Sequence, residues 1–210
     1  MTLQNRVDPW GQLTNTPARG AWLGNRGILH NDQQEIVAPW RHKSWVTCQL
    51  EFTGIKRKPF SPGNYSELFF LDEATALSAG HRPCAQCRRE RFNEFKSLWQ
   101  ATLADDAVAS GTTVTSIDKQ LHKERAVRGG GKLTFQSPLG MVPEGAFIDH
   151  SGDALLLWQG QLHKWSAHGY SKAGVVVVPS TTVTVITPAS ITKVLALGFK
   201  PQVHESALSP

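Results

Sequence analysis

Cysteine is scarce in this chain: 210 residues hold three thiols, Cys48, Cys84 and Cys87. An odd thiol count, with no basic-then-apolar leader at the amino terminus, argues against a secreted disulfide framework and predicts a reducing, cytoplasmic setting. Long apolar runs are missing as well. The longest aliphatic stretch, Val175 to Val178, is four residues closed by Pro179, against the ~20 needed to span a bilayer, so no membrane role is expected. There is no internal repeat and no low-complexity tract. Gly129-Gly130-Gly131 is followed by Lys132-Leu133, without the Lys-Ser or Lys-Thr of a phosphate-binding P-loop.

Acidic residues are the minority charge. Seventeen Asp and Glu face 22 Lys and Arg, for a net charge of +5 and an isoelectric point near 9.3. That excess suits an anionic partner or ordinary solubility charge. With 40% hydrophobic and 19% charged residues, the composition is that of a globular protein, and the length allows one large domain or two small ones.

Residues 1–47, rich in Trp, Gly, Asn and Pro, read as irregular β structure. Ser44 to Phe52 alternates as a strand, with Val46, Cys48, Leu50 and Phe52 on its apolar face. Glu67 to Leu71 reads as a strand, and Asp72 as the cap of a short helix stopped by Gly80. From Gln86 to about Ala104 the spacing of Phe92, Phe95, Leu98, Trp99 and Leu103 predicts an amphipathic helix. Its first turns carry Arg88, Arg89 and Arg91 where acidic residues would be favoured. Residues 104–113 read as linker, and a further helix runs from Ser116 to Arg128. Beyond the glycines, short strands predominate, and a last helix over Ala189 to Leu197 ends at Gly198. The predicted class is α+β: an amino-terminal lobe over residues 1–110 with amphipathic helices, a helix and glycine joint over 111–131, and a small antiparallel β-rich lobe over 132–210 closed by a helix.

The chemistry concentrates at Cys84-x-x-Cys87. A thiolate pair at that spacing has the bite of a zinc knuckle, because one turn lets both sulfurs approach a tetrahedral ion. Cys48 is the obvious third ligand for Zn2+. A fourth has to come from elsewhere, and His42, on the same strand face as Cys48, or His81, three residues before Cys84, are the nearest histidines. A metal-free thiol pair is the alternative. A thioredoxin-like redox pair lacks its βαβ surroundings. A nucleobase deaminase also carries Pro-Cys-x-x-Cys, as at Pro83 to Cys87, but needs an upstream His-x-Glu. The nearest stretch here reads His30-Asn31-Asp32.

The run Phe69-Phe70-Leu71-Asp72-Glu73-Ala74-Thr75-Ala76-Leu77-Ser78-Ala79-Gly80-His81-Arg82-Pro83-Cys84-Ala85-Gln86-Cys87-Arg88 resembles the second half of the Ada-type zinc domain, the bacterial methylphosphotriester-DNA repair module. Thr53-Gly54-Ile55 matches that family's upstream Thr-Gly-Ile, extending the resemblance over residues 53–88. In the family a Cys-x-x-x-Cys pair follows, whose first thiol is both zinc ligand and methyl acceptor. Arg57 and Ser61 stand at those positions here, and Cys48 is the candidate replacement. The resemblance implies a zinc-containing, nucleic-acid-binding protein linked to DNA repair, with DNA preferred over RNA. On that reading Arg82, Arg88, Arg89 and Arg91, with Lys56, Arg57 and Lys58 on a nearby loop, face phosphates, and Trp45 or Trp40 stacks on an unpaired base. The alternative is an enzyme: an alkyl-acceptor protein using Cys48 as a zinc thiolate, or a hydrolase acting through His122, Glu124, Asp149, His150, His163 and His168.

Overall fold

The computed structural model describes residues 2–52, 54, 58–104, 106–127 and 131–208. In the amino-terminal half, β1 (Gln4–Val7), β2 (Leu13–Asn15), β3 (Trp22–Asn25) and β4 (Val46–Cys48) precede β5 (Leu68–Phe70), α1 (Glu73–Ser78) and β6 (Arg82–Pro83). These strands form one mixed sheet in the order β2-β1-β5-β3-β4-β6, with β1 parallel to β5 and β4 parallel to β6. Gly24 of β3 lies so close to the Phe70 ring that an added Cβ would meet it at 2.4 Å, so the strand needs a residue without a side chain there.

Three helices follow: α2 (Arg89–Ala101), α3 (Asp106–Ser110) and α4 (Val114–Arg125). The second sheet then runs β7 (Phe135–Pro138), β8 (Phe147–His150), β9 (Asp153–Trp158), β10 (Gln161–Ser166), β11 (Gly169–Lys172) and β12 (Thr182–Val185), and α5 (Ala189–Ala196) closes it. It is antiparallel throughout, in the order β11-β10-β9-β8-β12-β7. Among the described residues, no helix is long and apolar enough to cross a membrane.

The α+β class holds, with two differences from the sequence reading. Helix α3 occupies part of the expected linker. The run from Val175 to Val178, whose β-branched composition favours an extended strand, is not one, and Val176 is fully exposed in it. Of the glycine joint, Gly129 and Gly130 lie outside the described residues.

Helix α1 explains how the two sheets share one interior. All six of its residues are buried, and this is why, after Glu73, it is built from Ala, Thr, Ser and one Leu: no face reaches water, and thin side chains let neighbours approach on every side. Leu77 packs with Phe95, Trp99, Ile117 and Leu121 of the helices and with Ile148, Leu155 and Val185 of the second sheet. Ala74 faces Phe147, Leu156 and Tyr170, while Ala76 faces Val7, Leu68 and Phe70 of the first sheet. Asp72 caps the helix, its Oδ1 accepting from the Thr75 amide at 2.8 Å. Gly80 ends it with φ of +84°, and a Cβ there would strike the Arg125 side chain at 2.6 Å, so two separate constraints require glycine.

Candidate metal centre

Parallel pairing of β4 with β6 sets Thr47 beside Pro83. The Cys84 amide then donates to the Thr47 carbonyl at 3.0 Å, which fixes Cys48, one residue on, next to the Cys84-x-x-Cys87 turn. That turn closes with the Arg88 amide on the Cys84 carbonyl at 3.1 Å. The three sulfurs lie within 4.8 Å of one another and form a group that can hold a metal ion. Among the described residues, no other cluster of three or more potential ligands occurs.

Backbone amides point at these sulfurs. The Gln86 amide donates to Cys84 Sγ at 3.4 Å, and the Cys87 amide also serves Cys84. The Gln49 amide serves Cys87. Donors aimed at sulfur favour the thiolate. The Cys48 thiol donates to Cys84, and that bond, with the amides and against burial, brings Cys84 down to about 5. Cys48 is pushed up by the same bond and by burial, and Cys87 is raised by burial. One thiolate therefore forms readily, and the other two thiols ionise when a cation shares their charge.

Over Trp45 to Cys48 the alternation is inverted relative to expectation, and beyond β4, from Gln49 to Phe52, all four residues are exposed. Trp45 and Thr47 face the core at 3% and 1% exposure, whereas Val46 and Cys48 are half-buried and Leu50 and Phe52 are exposed. The reason is packing around Trp45. Its ring lies under the Arg26 guanidinium at 4.2 Å and the Arg125 guanidinium at 4.6 Å, and its indole N–H donates to the His42 carbonyl. Cys48 is thereby turned into a cavity of about 520 Å³ that all three cysteines line, together with Phe52, Tyr65, Glu67 and Phe69. A second cleft of about 650 Å³ adjoins it, in which Arg88, Arg89, Arg91 and Lys200 outnumber the one acidic lining residue, Glu90, beside Trp22. The two share Gln49, Gln86 and Cys87.

The two histidines considered as fourth ligand stand outside the sulfur cluster. His42 has Asp118 and Arg125 as its charged neighbours, and burial lowers its pKa. His81 is fully buried, accepts from Arg26 Nε at 3.1 Å and packs on Trp45 and Phe70. Burial, reinforced by Arg26 and Arg125, keeps it neutral.

Three members of the expected nucleic-acid set have partners within the fold. Arg82, 2% exposed, places Nε and Nη2 on the Asp118 carboxylate at 2.9 and 2.8 Å. Arg88, 6% exposed, lies 3.8 Å over the Trp22 ring and donates to Glu73 at 2.6 Å. Neither can reach a phosphate without abandoning a buried carboxylate. Trp45, enclosed between two arginines, offers no free face to a base. Arg91 is half-buried and bonded to Glu73, Glu94 and the Lys200 carbonyl. Arg89 and Lys58 are exposed, and Lys56 and Arg57 lie outside the described residues.

In the carboxy-terminal half, Glu124 accepts from the Ser190 amide and hydroxyl, and Asp149 from the Trp10 indole and the Gly152 amide. His163 lies 3.3 Å from the Trp158 carbonyl. These are joints within the fold. Glu73 was legible as an acid next to the cap Asp72, but its arginine partners lie 15 and 18 residues on, beyond any local pattern. Comparison with protein-family models, curated proteins and solved structures returned no match.

Proposed function

We propose that this is a zinc-containing, nucleic-acid-binding protein whose metal centre stands at the junction of two clefts. Cys48, Cys84 and Cys87 hold Zn2+, a borderline-soft ion well suited to thiolates. The observation that carries the reading is that all three sulfurs line an open cavity and that this cavity adjoins a cationic cleft through Cys87. A knuckle that serves folding alone has no need of either.

The cationic cleft is where a phosphate is received. Arg89 and Lys200 are exposed there, and the amino terminus of α2, whose cap Arg88 makes no side-chain capping bond, adds unpaired amides and the positive end of the helix dipole. The Ada-type resemblance, carried by residues 69–88, agrees with zinc and with a nucleic-acid partner.

Two measurements test this. Purified wild type is expected to contain one zinc per chain, and Cys84→Ser to lose it, since each thiolate supplies a third of the protein's donors. In fluorescence anisotropy with labelled DNA and RNA oligonucleotides, binding should weaken as salt rises. The pair Arg89→Glu with Lys200→Glu should weaken it by at least about tenfold and flatten the salt dependence by about one unit of slope per residue. Arg88 is left intact because it holds Glu73. Absence of zinc removes the metal centre, and absence of affinity at low salt, or indifference to the two reversals, removes the nucleic-acid partner.

A further inference from the structure

We infer that the metal centre is three-coordinate in protein ligands and that its fourth position takes a neutral aromatic nitrogen heterocycle entering through the cavity beside it. The inference rests on the metal reading above and goes beyond it by naming an external ligand.

The sulfur cluster has three members among the described residues. The residues outside that set include no histidine and no cysteine, so every side chain that usually completes a zinc thiolate site is already accounted for. His42, with Asp118 and Arg125 as its charged neighbours, and His81, which accepts from Arg26 and packs on Trp45, both stand outside the sulfur group. His30 is stacked on Phe60 and bonded to Ser66, and His122 is packed edge-on against Trp40. The remaining four histidines belong to the second sheet and the carboxy-terminal segment. Three protein ligands with an open fourth position is the pattern of zinc sites that engage substrate, whereas structural sites are closed by four.

Position and charge together define what enters. Because Cys48, Cys84 and Cys87 all line the 520 Å³ cavity, a metal among them presents its free side to that cavity. A divalent ion with three thiolates carries one net negative charge. An anionic ligand would add a second negative charge to a partly desolvated site and is disfavoured. A neutral ring nitrogen is a good zinc donor and adds no charge. Aromatic walls receive its ring: Phe69 and Tyr65 line the cavity, and Phe52, 41% exposed, also lines it. Such a ring is also what an unpaired base presents, with its phosphate directed to the adjoining cationic cleft.

Cobalt-substituted full-length protein provides the test, with imidazole as the neutral probe and acetate as the anionic one. Sulfur-to-cobalt charge-transfer bands report the thiolates, and d–d bands report the fourth ligand. Imidazole is expected to shift the d–d bands saturably, acetate to leave them in place, and Phe52→Ala to weaken imidazole binding about tenfold. X-ray absorption of the zinc form without imidazole should show sulfur at about 2.3 Å and one lighter atom at about 2.0–2.1 Å, without the outer scattering of an imidazole ring. Ring scattering in that sample would identify a protein histidine as fourth ligand and overturn the inference. So would charge-transfer bands that form while the d–d bands stay fixed, or acetate acting as strongly as imidazole. If no charge-transfer band forms at all, the metal centre itself falls and the inference with it.

Discussion

Replacing Glu73 with alanine is expected to destabilise the protein by about 3–5 kcal/mol, the range found when one partner of a buried ion pair is removed. Glu73 is the first residue of α1, and its side chain is 1% exposed. Oε1 accepts from Arg88 at 2.6 Å. Oε2 accepts from Arg91 at 2.8 Å and from the Gln202 amide at 3.0 Å. Its deletion leaves the Arg88 guanidinium enclosed against Trp22 without a counter-charge and removes one of the bonds that tie the segment after α5 to α1. The neighbouring Asp72 makes a parallel connection, accepting from the Tyr170 hydroxyl at 2.8 Å and the His204 amide at 3.0 Å. Against a total stability of about 5–15 kcal/mol, the loss is a large fraction. Urea unfolding checks it, with Arg89→Ala as the exposed control expected to stay within about 0.5 kcal/mol of wild type. If Glu73→Ala costs no more than that control, the arginines around it are not held by charge pairing.

The same carboxylate shows where sequence reasoning reached its limit. Basic residues crowding the start of a helix conflict with its dipole, and that conflict was visible in Arg88, Arg89 and Arg91. The crowding suits a phosphate-facing surface, whereas two of the three arginines answer to a carboxylate 15 and 18 residues earlier. Arg82 answers likewise to Asp118, 36 residues later. Local features were legible because local physics sets them. The Asp72 cap, the Gly80 stop, the three-and-four spacing of α2 and the Cys84-x-x-Cys87 turn need no knowledge of the rest of the chain. Cys48 as third sulfur followed from counting thiols, and the parallel pairing of β4 with β6 that delivers it is a long-range event. The orientation of Trp45 depended on Arg26 and Arg125, 19 residues before it and 80 after it, so alternation alone placed the strand's faces the wrong way round. The interior likewise ignores the glycine junction, since Leu77, Phe95, Ile117 and Val185 share one cluster.

Stability is expected to rise between about pH 7 and 9, and Lys132→Met to remove one proton's share of that rise. The Lys132 stem is partly exposed, while its ammonium is enclosed and donates to the carbonyls of Pro9, at 3.2 Å, and Ser78. Burial brings its pKa down from 10.5 to about 7, an effect opposed by Asp8 and Glu124 and reinforced by Arg26. Above about pH 7 the folded chain has released this proton while the unfolded chain retains it until near 10.5. The unfolded state binds more protons across that window, so the stability contribution is complete above the unfolded pKa and is lost as pH falls through the folded one. His81, held neutral by burial and by Arg26 and Arg125, acts with the same sign in a lower window, its contribution fading as pH drops below about 6.5. Asp8, raised by burial, has the opposite sign, contributing below its unfolded pKa and losing that contribution as pH rises through the folded one, in the acid range. One proton corresponds to a slope of at most about 1.4 kcal/mol per pH unit. Because the cysteines and other histidines titrate alike in both proteins, the difference between the wild-type and Lys132→Met slopes isolates this ammonium. Urea unfolding at pH 7, 8 and 9 in a single mixed buffer measures it. Parallel slopes would show that the ammonium is charged in the fold, and that the carbonyls of Pro9 and Ser78 with Asp8 suffice to keep it so.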